Sequence, residues 1–155
     1  MDNFNNKIAV VTGGGTGMGR ELVLQLANEG CNVSMCDVIE ENMQETFDKA
    51  TKQFPDVKIT KHICDVSNEN DVIRFKDEVI AQQETDHVNL LFNNAGIGGG
   101  GSFIHSSREE WDRVFAVCWH GVYYCSRAFM PYILASEEAH IINTSSINGF
   151  WASLG

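Results

Sequence analysis

The 155 residues of this chain suffice for one domain with a hydrophobic core, and 43% apolar and 21% charged residues are ordinary for a globular protein. A formal net charge of −10 argues against nucleic acid or an anionic membrane surface as a partner. Five cysteines without CxxC spacing, and no secretory leader, predict reduced thiols in the cytoplasm. No apolar run approaches the roughly 20 residues of a membrane span.

Short apolar runs alternate along the chain with amphipathic segments. We predict strands at 7–12, 32–37, 57–64, 88–93 and 139–145. We predict helices at 17–29, at 40–53, from Ser67 or Asn68 to 83, and from a capping box at Ser106–Glu109 to 134. This alternation predicts a Rossmann-type, doubly wound parallel α/β sheet of order 3-2-1-4-5, a single domain over residues 1–155.

The first predicted strand runs into a glycine-rich turn at 12–19, directly ahead of a helix. Such a turn offers bare backbone N–H groups and a helix N-terminus to a phosphate. The spacing is T-G-x-x-x-G-x-G: Gly13 for the turn, Gly17 for close approach of a pyrophosphate, and Gly19 for helix packing. The absence of G-K-[ST] argues against a P-loop. The predicted binding residues of this turn are Gly13, Gly15, Thr16, Gly17, Met18 and Gly19.

Acidic residues end the second and third predicted strands. Asp37, followed by Val38, is placed to accept both ribose hydroxyls of NAD and to repel the 2′-phosphate of NADP, so we predict that NAD is the cofactor. Asp65, followed by Val66, has two interpretations. It is either the N-cap of the next helix or a partner of the adenine amino group.

Polar segments follow the fourth and fifth predicted strands. The segment Asn93-Asn94-Ala95-Gly96 is predicted to close the floor of the cofactor site, with a partly structural role, and Asn93, Ala95 and Gly96 are its predicted binding residues. A G-x-G-x-x-G pattern at Gly96, Gly98 and Gly101 is discounted because no helix begins there. The five histidines lack metal-ligand spacing, so no metal site is predicted.

Together, segments 12–19, 93–96 and 143–146 with Asp37 and Asp65 resemble the short-chain dehydrogenase/reductase family over nearly the whole chain. The resemblance implies an NAD(P)-dependent oxidoreductase that interconverts a secondary alcohol and a ketone by hydride transfer. It also implies a serine that polarises the reacting oxygen. That serine is identified with Ser146, with Ser145 as its near neighbour.

Two features depart from the family pattern. Cys118 stands where the family has a helix asparagine, and a thiol is a poor substitute for an amide in a proton relay. The family's catalytic Y-x-x-x-K pair should follow Ser146, and the chain ends at Gly155 without it. We therefore expect the C-terminally truncated portion of a longer enzyme, inactive by itself. The alternative is a catalytically silent dinucleotide-binding or dimerising module.

Two expectations concern partners. The resemblance implies a homodimer or homotetramer through the long helix 107–134, whose apolar face includes Trp111, Phe115, Trp119, Val122 and Phe129. Phe150, Trp151 and Leu154 predict an apolar wall after Ser146, and hence a bulky or hydrophobic alcohol or ketone substrate.

Overall fold

A computed structural model describes residues 3–99, 104–149 and 151 of the chain. One parallel sheet of order β3-β2-β1-β4-β5 lies at its centre. Its strands are β1 (Ile8–Thr12), β2 (Asn32–Asp37), β3 (Ile59–Ile63), β4 (Leu90–Asn93) and β5 (His140–Asn143). The predicted Rossmann-type fold and strand order are confirmed, with β1, β3, β4 and β5 each shorter than predicted.

Helices connect the strands and cover both faces of the sheet. They are α1 (Gly17–Asn28), α2 (Glu40–Gln53), α3 (Glu69–Gln83), α4 (Arg108–Phe115) and α5 (Gly121–Leu134). A π-helical turn, Ala116–His120, joins α4 to α5, so the predicted long helix is present but interrupted. It is capped one residue later than predicted, since the Ser107 hydroxyl accepts from the Glu110 N–H at 3.1 Å.

The core has two layers because alternate residues of β1 point to opposite faces of the sheet. Ile8 and Val10 face α3 and α5, whereas Ala9 and Val11 face α1 and α2. Phe129 on α5 is fully buried, with its ring 5.6 Å from that of Phe75. The expectation that Phe129 belongs to the apolar face available for an oligomer interface is therefore wrong.

No helix within the described part of the chain is long and apolar enough to cross a membrane.

Candidate functional site

A cleft of about 650 Å³ lies where the carboxyl ends of β1 to β4 meet the helices that follow them. In open parallel sheets ligands bind at this edge. The cleft brings together most of the residues predicted to bind the cofactor: Gly13, Thr16, Gly17, Met18, Gly19, Asp37, Val38, Asp65, Val66, Ala95 and Gly96. Gly15, Asn93 and Ser146 are not among the residues that line it.

The glycine turn presents open backbone to the cleft. A Cβ added to Gly17, whose φ is +53°, would meet nothing within 4 Å, so the space in front of this residue is free. A Cβ on Gly19 would lie 1.9 Å from the Gly13 carbonyl oxygen, because α1 packs directly on the turn. Thr16 caps α1 without a side-chain hydrogen bond, and no acidic residue occupies the first turn of the helix. The positive end of α1 is thus available to an anion.

The Asp37 carboxylate is held by three backbone N–H groups. Its Oδ1 accepts from Val38 at 2.8 Å and from Ile39 at 3.2 Å, and its Oδ2 accepts from Gly15 at 3.1 Å. Gly15 therefore contributes indirectly, by donating a hydrogen bond to this carboxylate, and is not itself among the residues that line the cleft. These bonds leave a fixed negative group at the cleft, with lone pairs for further donors.

Asp65 also lines the cleft, in the loop between β3 and α3. Its Oδ1 accepts from the Ser67 N–H at 2.9 Å and from the Ser67 hydroxyl at 2.7 Å. The N-cap of α3 is Asn68, whose side chain accepts from the N–H groups of Asn70 and Asp71. The N-cap interpretation of Asp65 is therefore wrong. The carboxylate is exposed and lines the cleft, where its role toward adenine stays a prediction.

The residues at and after the end of β4 bond this strand to its neighbours β1 and β5. The Thr12 hydroxyl accepts from the N–H groups of Asn94 and Ala95, both at 3.0 Å, and Asn94 Nδ2 donates to the Thr12 carbonyl at 3.1 Å. Asn93 is buried and donates to Asn143 Oδ1 at 2.8 Å. Asn93 thus joins the ends of β4 and β5, which agrees with the structural part of the role predicted for it.

Ser146 lies after β5, ahead of a 3₁₀ turn at Ile147–Gly149. It is exposed, and its hydroxyl accepts from the Asn148 N–H at 3.2 Å. Trp151, from the predicted apolar wall, is 72% exposed. Three other predicted positions, Gly101, Phe150 and Leu154, lie outside the described residues.

Cys118 lies inside the π-helical turn, beside the loop that follows β4. It is exposed, and its Sγ is 3.6 Å from the Ile97 carbonyl oxygen, which accepts the thiol hydrogen. Ile97 lines the cleft, so the thiol lies next to the site, although Cys118 itself is not among the lining residues. His120 packs its ring on Tyr124 at 5.9 Å and is not among the lining residues.

Cys36 and Cys125 are buried cysteines that act as packing groups. Burial raises the pKa of the Cys125 thiol to about 12, and burial raises the pKa of Cys36 well above its usual range. Both therefore stay neutral and behave as small apolar side chains. Within the described ranges, no group of three or more His, Cys, Asp and Glu side chains is arranged to hold a metal ion.

Sequence reasoning missed several residues of the cleft. They are Ile39, Asn42, Cys64, Ser67, Ile97, Arg113 and Val117, whereas Asn94 lies in the segment 93–96 that was expected there. Some were detectable, since Cys64 and Ser67 flank Asp65-Val66, and Arg113 and Val117 are spaced i, i+4 on a helix. Their approach to the cleft depends on how α4 and the π-helical turn pack, which local spacing does not determine.

Comparison with known proteins identifies relatives. A short chain dehydrogenase family model matches residues 7–155. The meso-2,3-butanediol dehydrogenase of Serratia marcescens is 31% identical over 152 residues, which are 98% of this chain and 58% of the relative.

Two solved structures have the same fold. A short chain dehydrogenase/reductase from Burkholderia phymatum in complex with NAD matches with a TM-score of 0.91 and 35% identity, over 99% of this chain and 53% of that chain. A metagenomic short-chain oxidoreductase in complex with NADP matches with a TM-score of 0.85 and 30% identity, over 94% of this chain and 65% of that chain. The chain spans little more than half the length of the curated relatives it matches.

Proposed function

The chain belongs to the short-chain dehydrogenase family, and from that premise we propose that the protein is an NAD(H)-dependent oxidoreductase acting on a secondary alcohol and its ketone. The residues around the cleft fit a dinucleotide: open backbone at Gly17, the free N-terminus of α1, and the carboxylate of Asp37. When bound, the nicotinamide supplies or accepts hydride. The chain's own residues bind and orient it.

The observation that carries the choice of NAD is the fixed carboxylate of Asp37. Three backbone N–H groups hold it at the cleft, so it accepts ribose hydroxyls without reorganising. A 2′-phosphate carries more than one negative charge and is repelled at the same place. Arg113 is the basic side chain that lines the cleft within the described residues. If it held a 2′-phosphate instead, NADP would bind more tightly.

Calorimetric titration of the protein with NAD⁺ and NADP⁺ tests this proposal. We expect tighter binding of NAD⁺, and a loss of about tenfold in NAD⁺ affinity for Asp37→Ala, because charge-assisted hydrogen bonds are lost. The same variant should bind NADP⁺ no more weakly than before. Asp86→Ala is the matched control, since that carboxylate is 99% exposed beside His87. Tighter binding of NADP⁺ by the unaltered protein contradicts the proposal.

For the reaction itself, we propose that the Ser146 hydroxyl donates a hydrogen bond to the substrate oxygen. Its support is the exposed position after β5, at the same edge of the sheet as the cleft. In a form of the protein that includes the Y-x-x-x-K pair, Ser146→Ala should lower kcat by about a hundredfold and leave NAD⁺ affinity unchanged. Ser145→Ala should have a much smaller effect there, and the reverse order would transfer the role to Ser145. Cofactor binding without any turnover by that same longer form would instead indicate a silent dinucleotide-binding module.

We propose that exposed Trp151 contacts a bulky, hydrophobic substrate. Its support is that this large apolar side chain is 72% exposed five residues after Ser146. In a form of the protein that includes the Y-x-x-x-K pair, Trp151→Ala should raise the KM for large apolar ketones and leave NAD⁺ affinity unchanged. Unchanged turnover of such ketones contradicts the proposal.

We also propose a homodimer or homotetramer through helix 107–134. Large apolar side chains on this segment are exposed, Phe115 to 50%, Trp119 to 68% and Tyr123 to 51%, and such patches mark interfaces. Sedimentation as a monomer at micromolar concentration contradicts it.

The free thiols of all five cysteines suit the reducing cytoplasm, which is the compartment we propose.

A further inference from the structure

The carbonyl group of Gly15 is the most heavily bonded point of the glycine turn. Arg20 on α1 donates to this oxygen from Nε at 3.1 Å and from NH2 at 2.7 Å, and the Thr46 hydroxyl on α2 donates to it at 2.9 Å. Arg20 Nε also contacts the Thr46 hydroxyl oxygen at 2.9 Å. Two helices that are separate in sequence therefore converge on one backbone atom behind the cleft.

The N–H group of the same residue bonds the cleft carboxylate. Gly15 donates to Asp37 Oδ2 at 3.1 Å, and a Cβ at this position would lie 2.8 Å from that oxygen. A side chain at this position would therefore collide with the carboxylate, and Gly15 has none that could fix its orientation. With its carbonyl anchored on one side and its N–H on the other, both dihedrals of the residue are set by its neighbours.

We propose that Arg20 is a positioning residue for the cofactor. Together with Thr46 it holds the Gly15 carbonyl from behind, and so keeps the Gly15 N–H on the carboxylate of Asp37, which receives the ribose. This inference rests on the proposed binding of NAD(H). It adds that the geometry of the ribose acceptor is controlled by a half-buried guanidinium that is not among the residues lining the cleft.

The surroundings of Arg20 fit this role. Its side chain is 17% exposed, and Thr46 is fully buried. The guanidinium is itself held by Glu45 at 2.9 Å, and hydrogen bonds from Lys49 and Arg20 lower the pKa of Glu45. A charged donor on the Gly15 carbonyl makes a stronger bond than a neutral one. The NH2 group of Arg20 is therefore shared between the Gly15 carbonyl and the Glu45 carboxylate.

A double-mutant cycle separates this role from a purely structural one. The variants are Arg20→Met and Thr46→Val, each made alone and combined with Asp37→Ala, with NAD⁺ dissociation constants measured by calorimetry and urea midpoints measured in parallel. Lys49→Met is the matched control, because Lys49 bonds the same Glu45 at 2.7 Å without touching the turn.

We expect Arg20→Met to weaken NAD⁺ binding about tenfold and Thr46→Val about threefold. In the Asp37→Ala background each change should fall below about twofold, because the residue through which they act is gone. Lys49→Met should stay within about twofold of the unaltered protein. If Arg20→Met fails to fold, Thr46→Val carries the same cycle with a nearly isosteric change.

Two results overturn the inference. One is a lowered urea midpoint with unchanged NAD⁺ affinity, and the other is a loss of affinity that simply adds to that of Asp37→Ala. Both require that the unaltered protein binds NAD⁺. If it does not bind NAD⁺, the proposed function is contradicted, and this inference falls with it.

Discussion

The β1–β2 and β4–β5 sides of the sheet differ in how deeply their strands are buried and in how many hydrogen bonds hold the segments that follow them. On the β1–β2 side, every residue of β1 is buried and the glycine turn is bonded to β2, α1 and α2. On the β4–β5 side, the residues of β5 are exposed or half-buried, and β5 pairs with β4 alone among the described strands. Ser146 follows this thinly covered strand.

The contrast matters for binding. Groups that are fixed before the ligand arrives cost little ordering entropy when it binds, so the carboxylate of Asp37 and the turn at Gly17 form a preorganised half-site. The hydroxyl of Ser146 has one backbone donor, Asn148, and lies in an exposed turn. The chain therefore holds the side proposed to bind the cofactor with many internal bonds, and the side that carries Ser146 with few.

The largest expected effect is at Phe129, where α5 packs against α3 in the hydrophobic core. Phe129→Ala should lower the free energy of unfolding by about 3–5 kcal/mol, because it opens a cavity beside Phe75. Trp119→Ala, on the exposed side of the same helical segment, should change it by less than about 0.5 kcal/mol. Urea denaturation measures both, below the concentration at which the protein associates. Equal losses would mean that the two faces are covered alike.

The next effect concerns the packing of α1 on the glycine turn. Gly19→Ala should cost about 3 kcal/mol, because its Cβ would meet the Gly13 carbonyl oxygen and α1 must shift. Gly98→Ala is the control, since a Cβ there meets nothing within 4 Å. Thermal unfolding compares the two variants. An unchanged midpoint for Gly19→Ala would contradict the close packing described for this side.

A smaller effect is expected at Thr12, which joins the two sides. Thr12→Val should cost about 2 kcal/mol, because the N–H groups of Asn94 and Ala95 lose their acceptor. The loss should appear as faster amide exchange at residues 94 and 95. Thr51→Val, whose hydroxyl bonds only carbonyls of its own helix, is the control. Equal exchange in both variants would show that Thr12 does not join the two sides.

The smallest effect is a pH dependence on the β2–β3 side. Burial lowers the pKa of His62, a shift partly opposed by Glu78, which bonds its Nδ1 at 2.9 Å. The unfolded chain therefore binds a proton first as the pH falls through its usual value near 6.5, and folded stability declines below that pH.

Urea midpoints at pH 7.5 and 5.5 measure this decline. It should be smaller in His62→Gln than in the unaltered protein, whereas His120→Gln, at an exposed position, should leave it unchanged. A decline of the same size in all three proteins would assign the pH dependence to other groups.

Most of the fold was predictable because its signals are local. The apolar run ahead of Gly13, the acidic residue at 37 and the alternation of elements each depend on residues that are close in sequence. The π-helical turn was not predictable, since nothing in the letters of Ala116–His120 distinguishes it from α-helix. Phe129 was misassigned because which face of α5 is buried depends on its packing against α3.

The site shows the same limit. The positions of Asp37 and the glycine turn at one edge follow from the strand order, because parallel strands end together. The bonds of Gly15 to Arg20 and Thr46 join residues up to 31 positions apart, so no local pattern announces them. The N-cap of α3 was open between Ser67, Asn68 and Asp65, since three adjacent polar side chains compete for the same N–H groups.

A structure of the protein crystallised with NAD⁺ tests the central claim most directly. The account predicts the adenosine ribose hydroxyls within about 3 Å of the Asp37 carboxylate, at ordinary hydrogen-bond distance, and the diphosphate over Gly17 and the N-terminus of α1. A dinucleotide bound elsewhere, or one whose ribose lies away from Asp37, would contradict it.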